Sequence, residues 1–404
     1  MDTDLITIDA IREAAVRAAP VALETPLLPG HTFARMTGSD IWLKAENLQR
    51  TGSFKVRGAM NALSLLDDAQ REAGVVAASA GNHAQGVALA ASTLGIDATV
   101  FMPEAAPLPK VTATRSYGAE VVLGGAGLGD AVDAAMRYRE ESGAHFVHPY
   151  DDRDILTGQA GLGLELIDQM PEPGAVVIPV GGGGLCAGSA AAIKRLHPDT
   201  VVIGVEAAAA ATYVASRAAG EPTPVEPRFT LADGIAVSRP SELVFAHLEA
   251  FVDDIVTVDD DEMTSAVALL LERAKFLVEP SGAAGLAALF AGLVPDVEGP
   301  TVVVLSGGNV DLLLIDRVIR KGLHAAGRFG SFRVLVPDVP GQLARIASAV
   351  AEIGANVVQV EHRREGSGLP FGTTQISFAV ETRDEQQLDE IVAAMKEIDV
   401  SGAT

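Results

Sequence analysis

The chain of 404 residues contains a single cysteine, Cys186. No intramolecular disulfide can form, and no cysteine-rich metal site can be built. Cys186 follows a run of glycines and reads as a small buried apolar residue on a tightly packed helix, not as a nucleophile. Basic residues are also scarce, with 30 Lys and Arg against 53 Asp and Glu and a net charge of −23. With no basic stretch to neutralise phosphates, nucleic acid is excluded as a partner. No apolar run reaches the roughly 18 residues needed to span a bilayer, so no membrane partner is expected. The segment Met1-Asp2-Thr3-Asp4 is acidic and lacks the basic and apolar stretches of a signal peptide. A cytoplasmic location is the corresponding expectation. The acidic runs Asp253-Asp254 and Asp259-Asp260-Asp261 read as solvated loop and helix-cap charge, and no metal site is expected from them.

Hydrophobic residues make up 48% of the chain and charged residues 21%, the balance of a globular protein long enough for two or three domains. Short β-branched runs alternate with alanine-rich helical stretches. Gly74–Ala78, Ala98–Met102, Glu120–Leu123, Ala175–Val180, Val201–Glu206 and Thr301–Leu305 read as buried strands. Helices are expected between them, among them Asn82–Gly95 and Asp130–Ser142. This rhythm implies an α/β fold with parallel sheets covered on both faces. Near Gly322–Gly330 small residues dominate and the pattern restarts. Phe332–Val336, Asn356–Val360 and Thr373–Glu381 read as strands, with a weak last strand near Ile398–Val400. Leu343, Ile346, Ala347 and Val350 form one helical stripe, and Leu388, Ile391, Val392 and Met395 another.

Lysine is rare as well, with seven in the chain. Lys55 is the one flanked by small and aromatic residues, in Ser53-Phe54-Lys55-Val56. Desolvation there lowers the ammonium pKa and frees the amine for imine chemistry with an aldehyde cofactor. Gly181-Gly182-Gly183-Gly184-Leu185 follows a buried strand and opens a helix. Its backbone amides can surround a phosphate without Cβ obstruction, and the helix N-terminus adds partial positive charge. Ser79-Ala80-Gly81-Asn82-His83 sits at a second strand-to-helix junction and forms an anion nest suited to a substrate carboxylate. Ser306-Gly307-Gly308-Asn309 ends a third strand.

These four segments, in this order, closely resemble the fold-type-II pyridoxal-phosphate enzymes, and among them the threonine and serine dehydratases (ammonia-lyases). The resemblance runs from about Ala22 to Lys321. It implies a two-lobed, tryptophan synthase β-like catalytic region over 1–322, with a small lobe at about 45–147 inserted in the large one. The cofactor it implies is pyridoxal 5'-phosphate, with Lys55 as the Schiff-base lysine and later the base that takes the substrate Cα proton. Phe54, Asn82, Gly181–Gly184, Leu185 and Ser306 would complete its binding site. Asn82 would meet the phenolic oxygen and Ser306 the pyridine nitrogen. A neutral serine there makes a weaker electron sink than an aspartate pair and favours β-elimination. Ser79, Ala80, Gly81, Asn82 and His83 would bind the substrate, with no proton-transfer role for His83. Ala232-Asp233-Gly234-Ile235 and Glu279-Pro280-Ser281-Gly282-Ala283 match dehydratase patterns near the cofactor and take positioning roles. Glu206 matches a position that binds a cation in some relatives, but Thr212 stands where those carry an aspartate, so no divalent metal is expected.

The implied activity is that of a threonine ammonia-lyase, converting L-threonine to 2-oxobutanoate and ammonia, with serine a secondary substrate. Serine ammonia-lyase and serine racemase are the enzymatic alternatives. Racemases of this group carry a serine, as a second acid/base, where this chain has Ala80. Residues 323–330 are expected as a linker, and 331–404 resemble an ACT regulatory domain of βαββα order. Such a module usually binds an amino acid. Here isoleucine or valine is the expected effector, held by backbone amides of Asp338–Leu343, in an allosteric enzyme of isoleucine biosynthesis. Its open sheet edges predict a homo-oligomer, dimer or tetramer. A structural dimerisation module is the other reading of the tail, and an amino-acid sensor is the non-enzymatic reading of the whole chain.

Overall fold

The computed structural model describes residues 5–364, 369–396 and 398. The chain forms two compact units, Met1–Asp311 and Leu312–Thr404.

In the first unit, six strands form one sheet in the spatial order Leu27–Pro29, Ile41–Lys44, Thr301–Val304, Ala175–Pro179, Val201–Ala207 and Asp254–Val258. All neighbours are parallel except the first pair. A second, four-stranded sheet is wholly parallel, in the order Glu120–Leu123, Ala98–Met102, Val75–Ala78 and His145–Phe146. The central strands Val75–Ala78, Ala98–Met102, Ala175–Pro179 and Thr301–Val304 are buried at every residue. That is why they read as unbroken apolar runs and not as alternations: helices cover both faces. Val176, Ile178, Val302 and Val304 pack into one core with Leu185, Cys186, Ala187 and Ala190 of the helix Gly184–Leu196. Val56, Met60 and Leu63 of the helix Lys55–Ser64 pack with Val75, Ala84 and Val87 in another.

A buried ionic cluster pins the start of the helix Lys55–Ser64. The Arg57 guanidinium donates to both carboxyl oxygens of Glu46 at 2.8 Å, and to Glu165 at 2.6 and 2.8 Å. Lys44 donates to Glu165 at 2.9 Å and to the carbonyl of Thr25 at 2.7 Å. Thr25 in turn donates to Glu46.

In the second unit, Phe329–Pro337, Thr373–Glu381 and Asn356–Arg363 form an antiparallel sheet in that order. Thr374, Ile376, Phe378 and Val380 face its core, as their alternation with Gln375, Ser377 and Ala379 predicts. Ile346, Val350, Ile391 and Met395 of the helices Gln342–Glu352 and Glu385–Lys396 cover them. Leu343 of the expected stripe is instead 41% exposed. The strand expected near Ile398–Val400 lies, beyond Ile398 itself, outside the described residues.

The stretch expected as a linker, 323–330, is structured. The helix Leu312–Ala325 runs into it, and the strand beginning at Phe329 leaves it. Its small residues reflect close packing and not slack: a Cβ on Gly327 would collide with the backbone of Glu385. The boundary between the two units accordingly falls after Asp311, ahead of the expected 322.

Candidate active site

Four strand-to-helix or loop-to-helix junctions of the first unit open onto one cavity of about 380 Å³. The helices Lys55–Ser64, Asn82–Leu94, Gly184–Leu196 and Pro280–Phe290 each begin there, and none has a side chain capping its N-terminus. Uncapped first-turn amides are donors without intrahelical partners, and each helix dipole adds positive potential. Such open amides suit an anion without arginine, in a strongly acidic chain.

Phe54, Lys55, Ser79, Ala80, Gly81, Asn82, His83, Gly181, Gly182, Gly183, Gly184, Leu185 and Ser306 all line this cavity. The structure therefore brings these thirteen residues together at one cavity.

Lys55 is the first residue of its helix. Phe54 N donates to the carbonyl of Ser306 at 3.2 Å, and Ser53 bridges to Gly307. The Lys55 amine donates to the carbonyl oxygen of Pro149 at 3.0 Å. Burial lowers its pKa to about 8, against a smaller opposing pull from Glu279.

Gly181–Gly184 follows the strand Ala175–Pro179. A Cβ on Gly181 would lie 2.7 Å from Cα of Ile235, and one on Gly182 would overlap the Tyr150 ring. Gly183 has φ of 81°, a left-handed conformation that side chains rarely adopt. Beneath the loop, the buried Tyr213 hydroxyl donates to the carbonyl of Gly182 at 3.0 Å.

Asn82 begins its helix but does not cap it, because its amide reaches Glu279 at 2.7 Å. The Ser79 hydroxyl accepts from Gly81 N at 3.2 Å. His83 donates through Nε2 to the carbonyl of Val147 at 2.9 Å. Burial, the Lys55 charge and His148 pull its pKa down to about 3, outweighing that bond, so the ring is neutral at physiological pH.

Glu206 also has a local use. Both its oxygens accept backbone amides, from Tyr213 and Val214 at 2.9 Å each, at the start of the helix Thr212–Ala219. Asp259 caps the helix Asp260–Leu269 in a reciprocal pair with Glu262, and Asp253 pairs with Lys194. Cys186 is buried, and burial pushes its thiol up to about 12.

Among the cavity residues Tyr150 and Lys110 carried no signal in the sequence, whereas Asp233 and Ser281 lie in the two segments expected near the cofactor. Tyr150 packs against the glycine loop and donates to the carbonyl of Arg239 at 3.0 Å. Lys110 pairs with Asp233 at 3.1 Å, both at the cavity wall. Ser281 is buried there, with a hydroxyl that has no partner among the described residues. The sequence pattern around Lys110 is that of an ordinary helix, and only its neighbour across the cavity distinguishes it.

Residues 19–307 match the family of pyridoxal-phosphate dependent enzymes. The chain belongs to that family. Residues 330–400 of this pyridoxal-phosphate-dependent enzyme match the ACT domain. An L-threonine ammonia-lyase of Thermotoga maritima is 46% identical over 388 residues, covering 96% of each chain. One of Geobacter sulfurreducens is 45% identical over 386 residues, again 96% of each. Among solved structures, maize serine racemase superposes with a TM-score of 0.74 at 36% identity, covering 79% of this chain and 98% of its own.

The residues present fit the cofactor. The glycine loop leaves a cradle that side chains at 181 and 182 would fill, Lys55 offers an amine tied to no carboxylate, and the buried Ser281 hydroxyl awaits a partner.

Proposed function

We propose that the enzyme is a threonine ammonia-lyase, converting L-threonine to 2-oxobutanoate and ammonia. The observation that carries this reading is the placement of Lys55 and the glycine loop in one cavity ringed by uncapped helix N-termini. The near-full-length likeness to two L-threonine ammonia-lyases supports the choice of substrate. Bound pyridoxal phosphate supplies an aldehyde for the substrate amine and a conjugated ring that withdraws electrons from its Cα.

The chain's own residues do the rest. Amides of Gly181–Gly184, with the dipole of the helix Gly184–Leu196, would hold the phosphate. Ser306 would meet the pyridine nitrogen and Asn82 the phenolic oxygen, and Phe54 and Leu185 would complete the walls of the cofactor site. Amides of Ser79–His83, at the uncapped start of the helix Asn82–Leu94, hold the substrate carboxylate. The neutral Lys55 amine takes the Cα proton and the β-hydroxyl leaves, together the elements of water, and the released enamine tautomerises and is hydrolysed to 2-oxobutanoate and ammonia. His83, neutral and with its Nε2–H committed to the carbonyl of Val147, takes no part in proton transfer. Ala80 has no group with which to return a proton, so elimination prevails over racemisation. A pocket that fits threonine loses only about 1–3 kcal/mol for one missing methyl, so serine is a secondary substrate.

We further propose cytoplasmic location and a biosynthetic role, with isoleucine inhibiting and valine opposing it at the C-terminal domain. In Asp338–Leu343, the amides of Asp338 and Val339 are already bonded to Gly372 and Pro337. Those of Gly341–Leu343 remain for a carboxylate, beside the buried Oε1 of Gln342, which has no partner among the described residues and suits an ammonium. The edge strand Asn356–Arg363 is exposed along nearly its whole length, with Val358 54% exposed, and supports pairing with a second copy.

Lys55→Ala should abolish both the absorbance of the imine between Lys55 and the cofactor and turnover, and retention of both overturns the assignment. Isoleucine should shift half-saturation for threonine several-fold in the full chain, a coupling of about 1–3 kcal/mol. Hyperbolic kinetics unmoved by any branched-chain amino acid would make the tail structural only.

A further inference from the structure

Asn82, Glu279 and Asn309 form a chain of side-chain hydrogen bonds whose polarity is set from one end. The carbonyl of Thr51 can only accept, and Asn309 donates to it through Nδ2 at 2.6 Å. The same Nδ2 donates to Oδ1 of Asn82 at 2.8 Å. With its oxygen so engaged, Asn82 presents its nitrogen to Oε1 of Glu279, at 2.7 Å. An amide has two N–H groups, and the second of Asn82 has no protein acceptor among the described residues while the residue lines the cavity.

Room for this chain is built into the backbone. A Cβ on Gly307 would collide with the Glu279 carboxyl, and one on Gly52 with the Asn309 side chain. Glu279 N also donates to the carbonyl of Gly307 at 3.1 Å, and Gly308 N to that of Gly52 at 2.8 Å. The glycines around Ser306 and Lys55 thus make room for two polar side chains, Glu279 at the cavity wall and Asn309 behind it.

We propose that Glu279 and Asn309 are positioning residues for Asn82, fixing which way its amide faces the cavity, and that a proton on Glu279 tunes the bond that does so. The role of Glu279 rests on Asn82 being a cofactor contact, as proposed above. Burial and Asp233 raise the Glu279 carboxyl to about 7, against the pull of Asn82, Lys110 and Lys55. At that value the carboxyl changes charge near neutrality. Ionised, it accepts a charge-assisted bond from Asn82; protonated, it holds that amide more weakly.

The test uses holoenzyme and reads the bound-cofactor absorbance from about pH 6 to about pH 8, where such a group titrates. In the native enzyme the band shifts over that range. Glu279→Gln, which keeps an acceptor but cannot titrate, should hold its band constant. Asn309→Ala, which leaves Glu279 untouched, should move the band and lower kcat by about tenfold to a hundredfold, with KM changed far less. A Glu279→Gln enzyme that still titrates like the native one, or an Asn309→Ala enzyme with native band and kcat, overturns the proposal. Asn82→Ala separates the two layers. An unchanged band there sinks the cofactor-contact reading itself. A changed band beside unaffected Glu279 and Asn309 variants sinks only the positioning role.

Discussion

The Lys55 amine lies 3.0 Å from the carbonyl oxygen of Pro149 and is bonded there, not to any carboxylate. A carbonyl holds an amine in place without stabilising its charge as a carboxylate would. Glu279 acts on it only through space, and desolvation dominates. The arrangement orients the nucleophile while keeping it easy to deprotonate.

It follows that capture of pyridoxal phosphate by cofactor-free protein should accelerate with pH, about tenfold per unit, and level off above about pH 8. The sign is that of a lowered amine pKa, since the reactive neutral form gains as pH rises through the folded value. Stopped-flow absorbance measures the rate. A rate still climbing past about pH 10 would mean an ordinary, solvated lysine.

Gly182→Ala should weaken cofactor binding at least about tenfold, because the added methyl must displace the Tyr150 ring that forms one wall of the cradle. Gly183→Ala should in addition destabilise the fold by about 1–3 kcal/mol, since its φ of 81° is strained for alanine. Equilibrium dialysis of the cofactor and thermal unfolding distinguish the two. Native affinity in both variants would remove the cradle.

Glu279 carries a stability signature separate from its proposed positioning role. Its folded pKa of about 7 stands above the ordinary 4.5, so its contribution is fully present below about pH 4.5 and is lost as pH rises through 7. Glu279→Gln should therefore match the native protein near pH 4.5 and exceed it above neutrality by up to about 3 kcal/mol. Urea unfolding of cofactor-free protein at the two pH values checks this, and equal stability at both contradicts it.

Arg57→Ala leaves Glu46 buried without its counter-charge and should cost about 3–5 kcal/mol. Arg57→Ala with Glu46→Ala should cost less than the sum of the single changes, because the second removes the orphaned charge. Strict additivity in that double-mutant cycle would show that the pair is not coupled.

Much of this was legible in the amino-acid order, because the physics concerned is local. A buried β-branched run followed by glycines and a helix specifies a strand, a tight turn and an open helix N-terminus. Ala98–Met102, Glu120–Leu123 and Thr373–Glu381 have the bounds their patterns predict. The site segments at Ser79–His83 and Gly181–Leu185 were legible for the same reason, since each is one such junction, whereas Lys55 follows a loop and Ser306 a strand with no helix directly behind it. What only the tertiary structure decided are relations across long loops, where no periodicity links the partners. These include Lys55 on the Pro149 carbonyl, Tyr150 against Gly182, Lys110 facing Asp233, and Asn82 held between Glu279 and Asn309. The ordered 323–330 stretch belongs with them. Its small residues suggest slack, but close approach to Glu385, set by packing, is what requires a glycine there. Sequence determines which backbone ends are open, and the packing of the sheets determines which side chains meet there.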